Sequence, residues 1–190
     1  IYVSFNKAPS DQGDQALQAL QQSVENLNSG YLDLYLIHWP GAQGIPGNHP
    51  DNVKLRSASW EALMKGVELG LVRDIGVSNY TVRHLNELLS KNYSVRPAVN
   101  QVEWHPHCHG ADLKNFCKSQ GILLQAYSSL GGSNNPRLIK DPAVVQIATK
   151  IKKSPAQVQF VKLSYIMFDL LFVGFIALGP PAEYWHHSKS

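Results

Sequence analysis

The sequence predicts a parallel α/β fold, and three observations point there. Short β-branched and apolar runs recur five times along the 190 residues. Each consecutive pair of runs is separated by a stretch with helical periodicity. With 44% hydrophobic and 16% charged residues, the chain also has the apolar content of a single cored domain. Strands separated by helices imply right-handed crossovers and a parallel sheet. A doubly wound sheet and a (β/α)8 barrel both fit this pattern. A barrel needs eight strands and about 250 residues, so five strand-helix units would make an incomplete one.

Taken in order, Ile1-Tyr2-Val3-Ser4-Phe5 reads as a strand, broken by Ala8-Pro9-Ser10-Asp11-Gln12-Gly13. Leu17, Leu20, Val24 and Leu27 share one helix face, which Asn28-Ser29-Gly30 ends. Leu32 to Ile37 is the second strand, stopped by Pro40. Residues 40–56 hold three prolines and three glycines without periodicity and predict a long functional loop. Trp60, Leu63, Met64 and Val67 then mark a helix closed by Gly70. Val72 to Val77 is the third strand. Thr81 is a candidate N-cap for the helix carrying Val82, Leu85, Leu88 and Leu89. Pro97 to Val102 and Ile122 to Tyr127 are the last two strands, with a helix over Leu113 to Lys118 between them. Asp141-Pro142 and Ser154-Pro155-Ala156-Gln157 each start a helix, with an N-cap and a proline at the first position; the second adds a capping-box glutamine.

Residues 163–179 differ from everything before them. Only Asp169 is charged there, and the segment is apolar all round. It falls short of the roughly 20 apolar residues of a membrane span and carries an acid, so a buried or misplaced segment is expected rather than a membrane partner. Domain boundaries are therefore expected at 1–158 and at 159–190, the divergent tail. The formal net charge of +3, without blocks of like charge, gives no nucleic-acid footprint. Two cysteines, Cys108 and Cys117, make no disulfide framework and predict reduced thiols and a cytosolic setting. The chain opens at Ile1, within a strand, so further sequence is expected upstream.

Ligands of parallel α/β folds bind at the carboxyl ends of the strands. The residues that follow the apolar runs are Asn6-Lys7, His38-Trp39, Ser78-Asn79, Gln101 and Tyr127-Ser128. Together they form a rim of one imidazole, amides, hydroxyls and aromatic rings suited to a small molecule. Singly, each has an ordinary structural role open to it: a satisfied histidine, a loop cap, a core aromatic with a wet hydroxyl. His105, His107 and His109 alternate on an extended segment, but no carboxylate or cysteine at a known metal spacing accompanies them, so loop histidines and no metal are expected. Neither GxGxxG nor a P-loop pattern is present.

Four stretches carry a resemblance. Tyr31-Leu-Asp-Leu-Tyr-Leu-Ile-His38-Trp39-Pro40, Gly70-Leu-Val-Arg-Asp-Ile-Gly-Val-Ser78-Asn79-Tyr80, Pro97-Ala-Val-Asn-Gln101-Val-Glu-Trp-His-Pro and Ala126-Tyr127-Ser128-Ser129-Leu130-Gly131 resemble, in order, the fourth to seventh barrel strands of the aldo-keto reductase family. The resemblance covers residues 1 to 158. It implies a (β/α)8 barrel and reduction of aldehydes or ketones, small-molecule carbonyl substrates, with NADPH. It also implies site roles. His38 would orient the substrate carbonyl; Ser78, Asn79 and Gln101 would hold the nicotinamide carboxamide. Tyr127 would stack on the ring, Ser128 and Leu130 would lie along the pyrophosphate, and Trp39 would wall the substrate pocket.

The family's catalytic lysine position falls by count on Asn6, one residue before Lys7, which stands as the candidate. The family's general-acid tyrosine and its aspartate partner belong upstream of Ile1. Past Val158 neither the helix continuation nor the eighth strand, with its 2′-phosphate site, is expected. Weak or absent reduction, poor stability and a monomer, if folded, are the corresponding expectations. The alternatives are a non-catalytic regulatory module like the potassium-channel β subunits, an inactive structural protein like the reductase-like lens crystallins, and a metal hydrolase using His38, His105 and His107.

Overall fold

The computed structural model describes residues 3–6, 12–42, 44–131, 137–166 and 170–172, with side chains over 12–42, 44–131 and 137–160. Its strands are β1 (Val3–Asn6), β2 (Leu32–Ile37), β3 (Val72–Ser78), β4 (Val99–Glu103), β5 (Leu123–Tyr127) and β6 (Leu170–Phe172). They form one sheet in the order β1-β2-β3-β4-β5-β6, every pairing parallel. Helices α1 (Ala16–Leu27), α2 (Asp51–Glu68), α3 (Val82–Leu89) and α4 (Ala111–Gln120) make the successive crossovers, and α5 (Pro142–Lys150) and α6 (Pro155–Ile166) lie between β5 and β6. The order never reverses. A doubly wound sheet reverses at its switch point, so the arrangement is the advancing strand-helix array of a barrel.

Alternation along the strands divides the residues between two faces. Tyr35, Ile37, Ile75, Val77, Val102, Leu124 and Ala126 pack with Ala16, Leu20, Trp60, Leu63, Leu85 and Cys117 from the helices in one buried core, which Leu32 and Val72, out of that phase at the strand starts, also join. Trp60 is fully buried, and its indole N–H donates to Val95 O at 3.2 Å. The other face presents Leu36, Gly76, Gln101 and Gln125, which share strand registers. Val144, Ala148 and Val158 form a small second cluster joining α5 to α6.

Two expectations are corrected. The loop over 40–56 is shorter, because α2 begins at Asp51. Its buried face is Asn52, Arg56, Ser59, Trp60, Leu63 and Gly66. The first three are polar, so the apolar period became visible only at Trp60. Past Val158 the chain does continue in regular structure: α6 runs unbroken to Ile166, and a short sixth strand, β6, pairs with β5 through Leu124↔Leu170, Gln125↔Leu171 and Ala126↔Phe172. A uniformly apolar run carries no period to distinguish strand from helix. Among the described residues no helix is long and apolar enough to cross a membrane.

The three expected helix starts form. Asp141 Oδ1 accepts from Ala143 N at 2.9 Å. Ser154 and Gln157 exchange reciprocal bonds: Gln157 N donates to Ser154 Oγ at 3.2 Å, and Ser154 N donates to Gln157 Oε1 at 2.9 Å. At α3, Thr81 N donates to His84 Nδ1 at 3.3 Å. That bond requires the neutral imidazole. Burial, then the Arg56 and Arg83 guanidinium groups, hold the His84 pKa below its ordinary value. The unfolded chain therefore binds the proton more readily. The stabilisation by this cap is complete above the unfolded histidine pKa of about 6.5 and is lost as pH falls through the lower folded value. An NMR titration should find His84 ionising below the ordinary range, with α3 amide protection falling in step. Titration at or above that range contradicts the assignment.

Candidate active site

Asn79 is the hub of the site. It follows β3 directly and takes a left-handed backbone (φ 62°), a conformation asparagine tolerates better than other side-chain-bearing residues. The turn is held from several sides. Asn79 N donates to Gln101 O at 2.8 Å. Asn79 Nδ2 donates to His38 O at 2.9 Å and to Ser78 Oγ at 3.2 Å. Asn79 Oδ1 accepts from the Tyr127 hydroxyl at 2.8 Å. One side chain thus ties the carboxyl ends of β2, β3 and β5, and its backbone adds β4.

Register explains why these residues meet. Ser78 pairs with Gln101, Gln101 with Gln125, and Glu103 with Tyr127. Buried Ser78 Oγ donates to Gln101 O at 2.8 Å, and Gln101 Nε2 donates to Gln125 Oε1 at 2.7 Å. Burial raises the Tyr127 phenol pKa, and the nearby Glu103 and Cys108 raise it further. Tyr127 therefore stays a protonated donor at neutral pH. Ser128 also has a positive φ (51°), and its carbonyl accepts from Gly131 N at 2.7 Å, so the chain reverses just after Tyr127. Leu130 is half-buried in that turn.

His38 and Trp39 stand together beyond β2, their rings 5.7 Å apart and tilted by 54°. Trp39 is 51% exposed, an open apolar wall. The segment after it is pinned by two α2 side chains the sequence analysis did not single out. Asn52 Oδ1 accepts from Ala42 N at 2.9 Å, and its Nδ2 donates to Pro46 O at 2.8 Å. Arg56 Nη1 donates to Pro40 O at 2.6 Å, and Arg56 pairs bidentately with Glu87 at 2.9 and 2.7 Å. A polar pair at i and i+4, in phase with Trp60 and Leu63, is the signal that could have shown them.

The structure thus brings together His38, Trp39, Ser78, Asn79, Gln101, Tyr127 and Ser128 with Leu130 following. Lys7 lies outside the described residues; the backbone register aligns Asn6 with Ile37, one residue before His38. Within the histidine run, the His105 and His107 rings stay 6.3 Å apart and nearly perpendicular. His105 is buried and contacts Glu103 Oε1 at 3.1 Å, His107 contacts Asp141 Oδ2 at 2.9 Å, and the His109 ring lies 6.1 Å from that of Trp104. Among the described residues one trio of possible metal ligands converges within 4.8 Å: Glu103, His105 and Cys108, without His38 or His107. His105 Nδ1 accepts from His107 N at 3.2 Å. A neutral imidazole so bonded carries its proton on Nε2, the nitrogen facing Glu103, which favours a hydrogen bond there over a metal.

An advancing parallel strand-helix array with its polar residues gathered at the strand ends defines the barrel class of ligand site. The chain belongs to the aldo/keto reductase family, whose family model matches residues 6–146. It is 45% identical over 159 residues to glyoxal reductase of Bacillus subtilis, covering 83% of this chain and 52% of that protein. It is 39% identical over 176 residues to prostaglandin F synthase 1 of Bos taurus, covering 83% and 54%. Among solved structures, the aldo/keto reductase from Brucella melitensis matches with a TM-score of 0.73 at 34% identity, over 91% of this chain and 62% of that one. The chain spans about half the length of the curated relatives it matches.

Proposed function

We propose that the chain carries the nicotinamide-binding and carbonyl-positioning rim of an NADPH-dependent reductase of aldehydes and ketones. The observation that carries this is the single network joining the ends of β2 to β5 through Asn79. Its spare acceptor atoms suit the two N–H donors of a primary carboxamide. Asn79 spends both Nδ2 hydrogens within the protein, but its Oδ1, bonded by Tyr127, keeps a second acceptor lone pair, and the side chain of Gln101 bonds only Gln125 among the described residues and keeps Oε1 for a ligand. Glyoxal reductase, among the relatives, is named for reduction of a dicarbonyl.

In this reading NADPH supplies the hydride when bound. Ser78, Asn79 and Gln101 hold the carboxamide, and Tyr127 offers a ring face anchored through its hydroxyl to Asn79. Ser128 and Leu130 lie along the pyrophosphate. His38 donates to the substrate carbonyl oxygen, fixing its position and stabilising charge that develops there. Trp39 walls the substrate side, and Lys7, next in sequence after β1, is the proposed cation of the rim. The two cysteines, Cys108 exposed and Cys117 buried, are unpaired and favour a reducing, cytosolic compartment.

Titration of the 190-residue chain with NADPH, followed by cofactor fluorescence, tests the reading. Saturable binding is expected, weakened by roughly tenfold in Tyr127→Ala, the scale of a lost aromatic stacking contact. A folded chain without binding, or a Tyr127→Ala variant that binds equally well, overturns it.

A further inference from the structure

We infer that Gln125 is a positioning residue that sets the orientation of the Gln101 amide and so makes the site select a primary carboxamide. This rests on the proposal that Gln101 meets the nicotinamide carboxamide. The two glutamines are partners in the parallel β4–β5 register, and both are buried, Gln101 at 5% and Gln125 at 4% exposure. Gln101 Nε2 donates to Gln125 Oε1 at 2.7 Å. The Gln101 backbone is fixed independently, because its carbonyl accepts from both Asn79 N and Ser78 Oγ at 2.8 Å.

A glutamine amide on a fixed backbone has two faces related by a half-turn, and only its hydrogen-bond partners choose between them. Donation to Gln125 puts Nε2 towards β5. Amide planarity then turns Oε1 away from Gln125, as an acceptor. An acceptor there is matched by a ligand N–H, which a carboxamide has and an acetyl group of nearly the same shape lacks. A site that rejects a ligand for lacking one hydrogen-bonding group does so because its own polar atom is left unpaired. The half-turned amide would present N–H instead and would not discriminate. Gln125 needs no contact with the cofactor to exert this effect.

The test compares dissociation constants for NADP+ and its 3-acetylpyridine analogue, which replaces the carboxamide by an acetyl group. The wild-type chain should prefer NADP+ by about three- to tenfold, the scale of one hydrogen bond. Gln125→Glu, still an acceptor for Gln101 Nε2, should keep the preference. Gln125→Met, of similar volume but unable to hold the amide, should bring the ratio close to one in a chain that still unfolds cooperatively, at a melting temperature lowered by the unpaired Gln101 amide. Gln125→Thr, too short to reach Gln101, gives the same reading if the methionine variant does not fold. A preference that survives both Met and Thr but vanishes in Gln101→Ala overturns the role of Gln125 alone. A preference that survives Gln101→Ala overturns the carboxamide role of Gln101 and the inference with it.

Discussion

Replacing Gly76 by valine is expected to destabilise the chain severely and to abolish cofactor binding with it. Gly76 lies within β3 and aligns with Leu36 of β2. A Cβ at this position would stand 2.6 Å from Val99 O, 3.2 Å from Val99 N and 2.7 Å from Leu36 Cδ2. The leucine methyl can rotate away, but the Val99 backbone cannot move without displacing the start of β4. That start is joined to β3 by the Ala98 N to Ile75 O bond at 2.9 Å and by the pairs Val77↔Asn100 and Ser78↔Gln101. The close approach that forbids a side chain therefore also brings Ser78 to Gln101. Overpacking of this kind costs about 1–3 kcal/mol for one added methyl, and a β-branched side chain costs more. Urea unfolding should show a lowered midpoint for Gly76→Ala and no cooperative transition for Gly76→Val. A wild-type midpoint in the valine variant would contradict the packing described.

Arg56→Ala has the second large effect expected. Arg56 is 9% exposed and Glu87 27%. Its guanidinium joins three parts of the chain: α2, α3 through Glu87, and the segment beyond Trp39 through Pro40 O. Truncation leaves a largely buried carboxylate and a carbonyl without their donor. Breaking a buried pair typically costs about 3–5 kcal/mol, and the partial exposure of Glu87 puts this one near the lower end, about 3 kcal/mol. The double replacement Arg56→Met with Glu87→Leu removes both charges and should recover much of that loss, because the penalty comes from the unpaired partner. Denaturant melts of the three variants check this. A loss below about 0.5 kcal/mol in Arg56→Ala, as for an exposed pair, would contradict it.

The rim was legible in the sequence because strand ends are legible. Runs such as Leu32–Ile37 and Val72–Ser78 have a clear apolar signature, and the polar residue that ends each one, His38 or Ser78-Asn79, belongs to the carboxyl edge of a parallel sheet. What stayed hidden was polar structure serving as core. Asn52 and Arg56 occupy the buried face of α2, yet hydrophobic periodicity cannot register them, so the helix start was missed with them. Gln125 sits in a strand that otherwise reads as apolar, and its role depends on a register with Gln101 that no local pattern reveals. The β6 strand was missed for the opposite reason, since a uniformly apolar run has no contrast from which to read a period. The left-handed turn at Asn79 is suggested by residue type, but its use as the junction of four strand ends belongs to tertiary structure.

The central claim is that the nicotinamide lies on the rim that Asn79 and Tyr127 hold together. Saturation-transfer NMR of NADPH with the 190-residue chain tests it most directly, by irradiating the protein's aromatic protons and reading transfer at each end of the cofactor. The account predicts strong transfer to the nicotinamide ring protons that drops selectively in Tyr127→Ala. Transfer confined to the adenine end, or nicotinamide transfer unchanged in Tyr127→Ala, would contradict it.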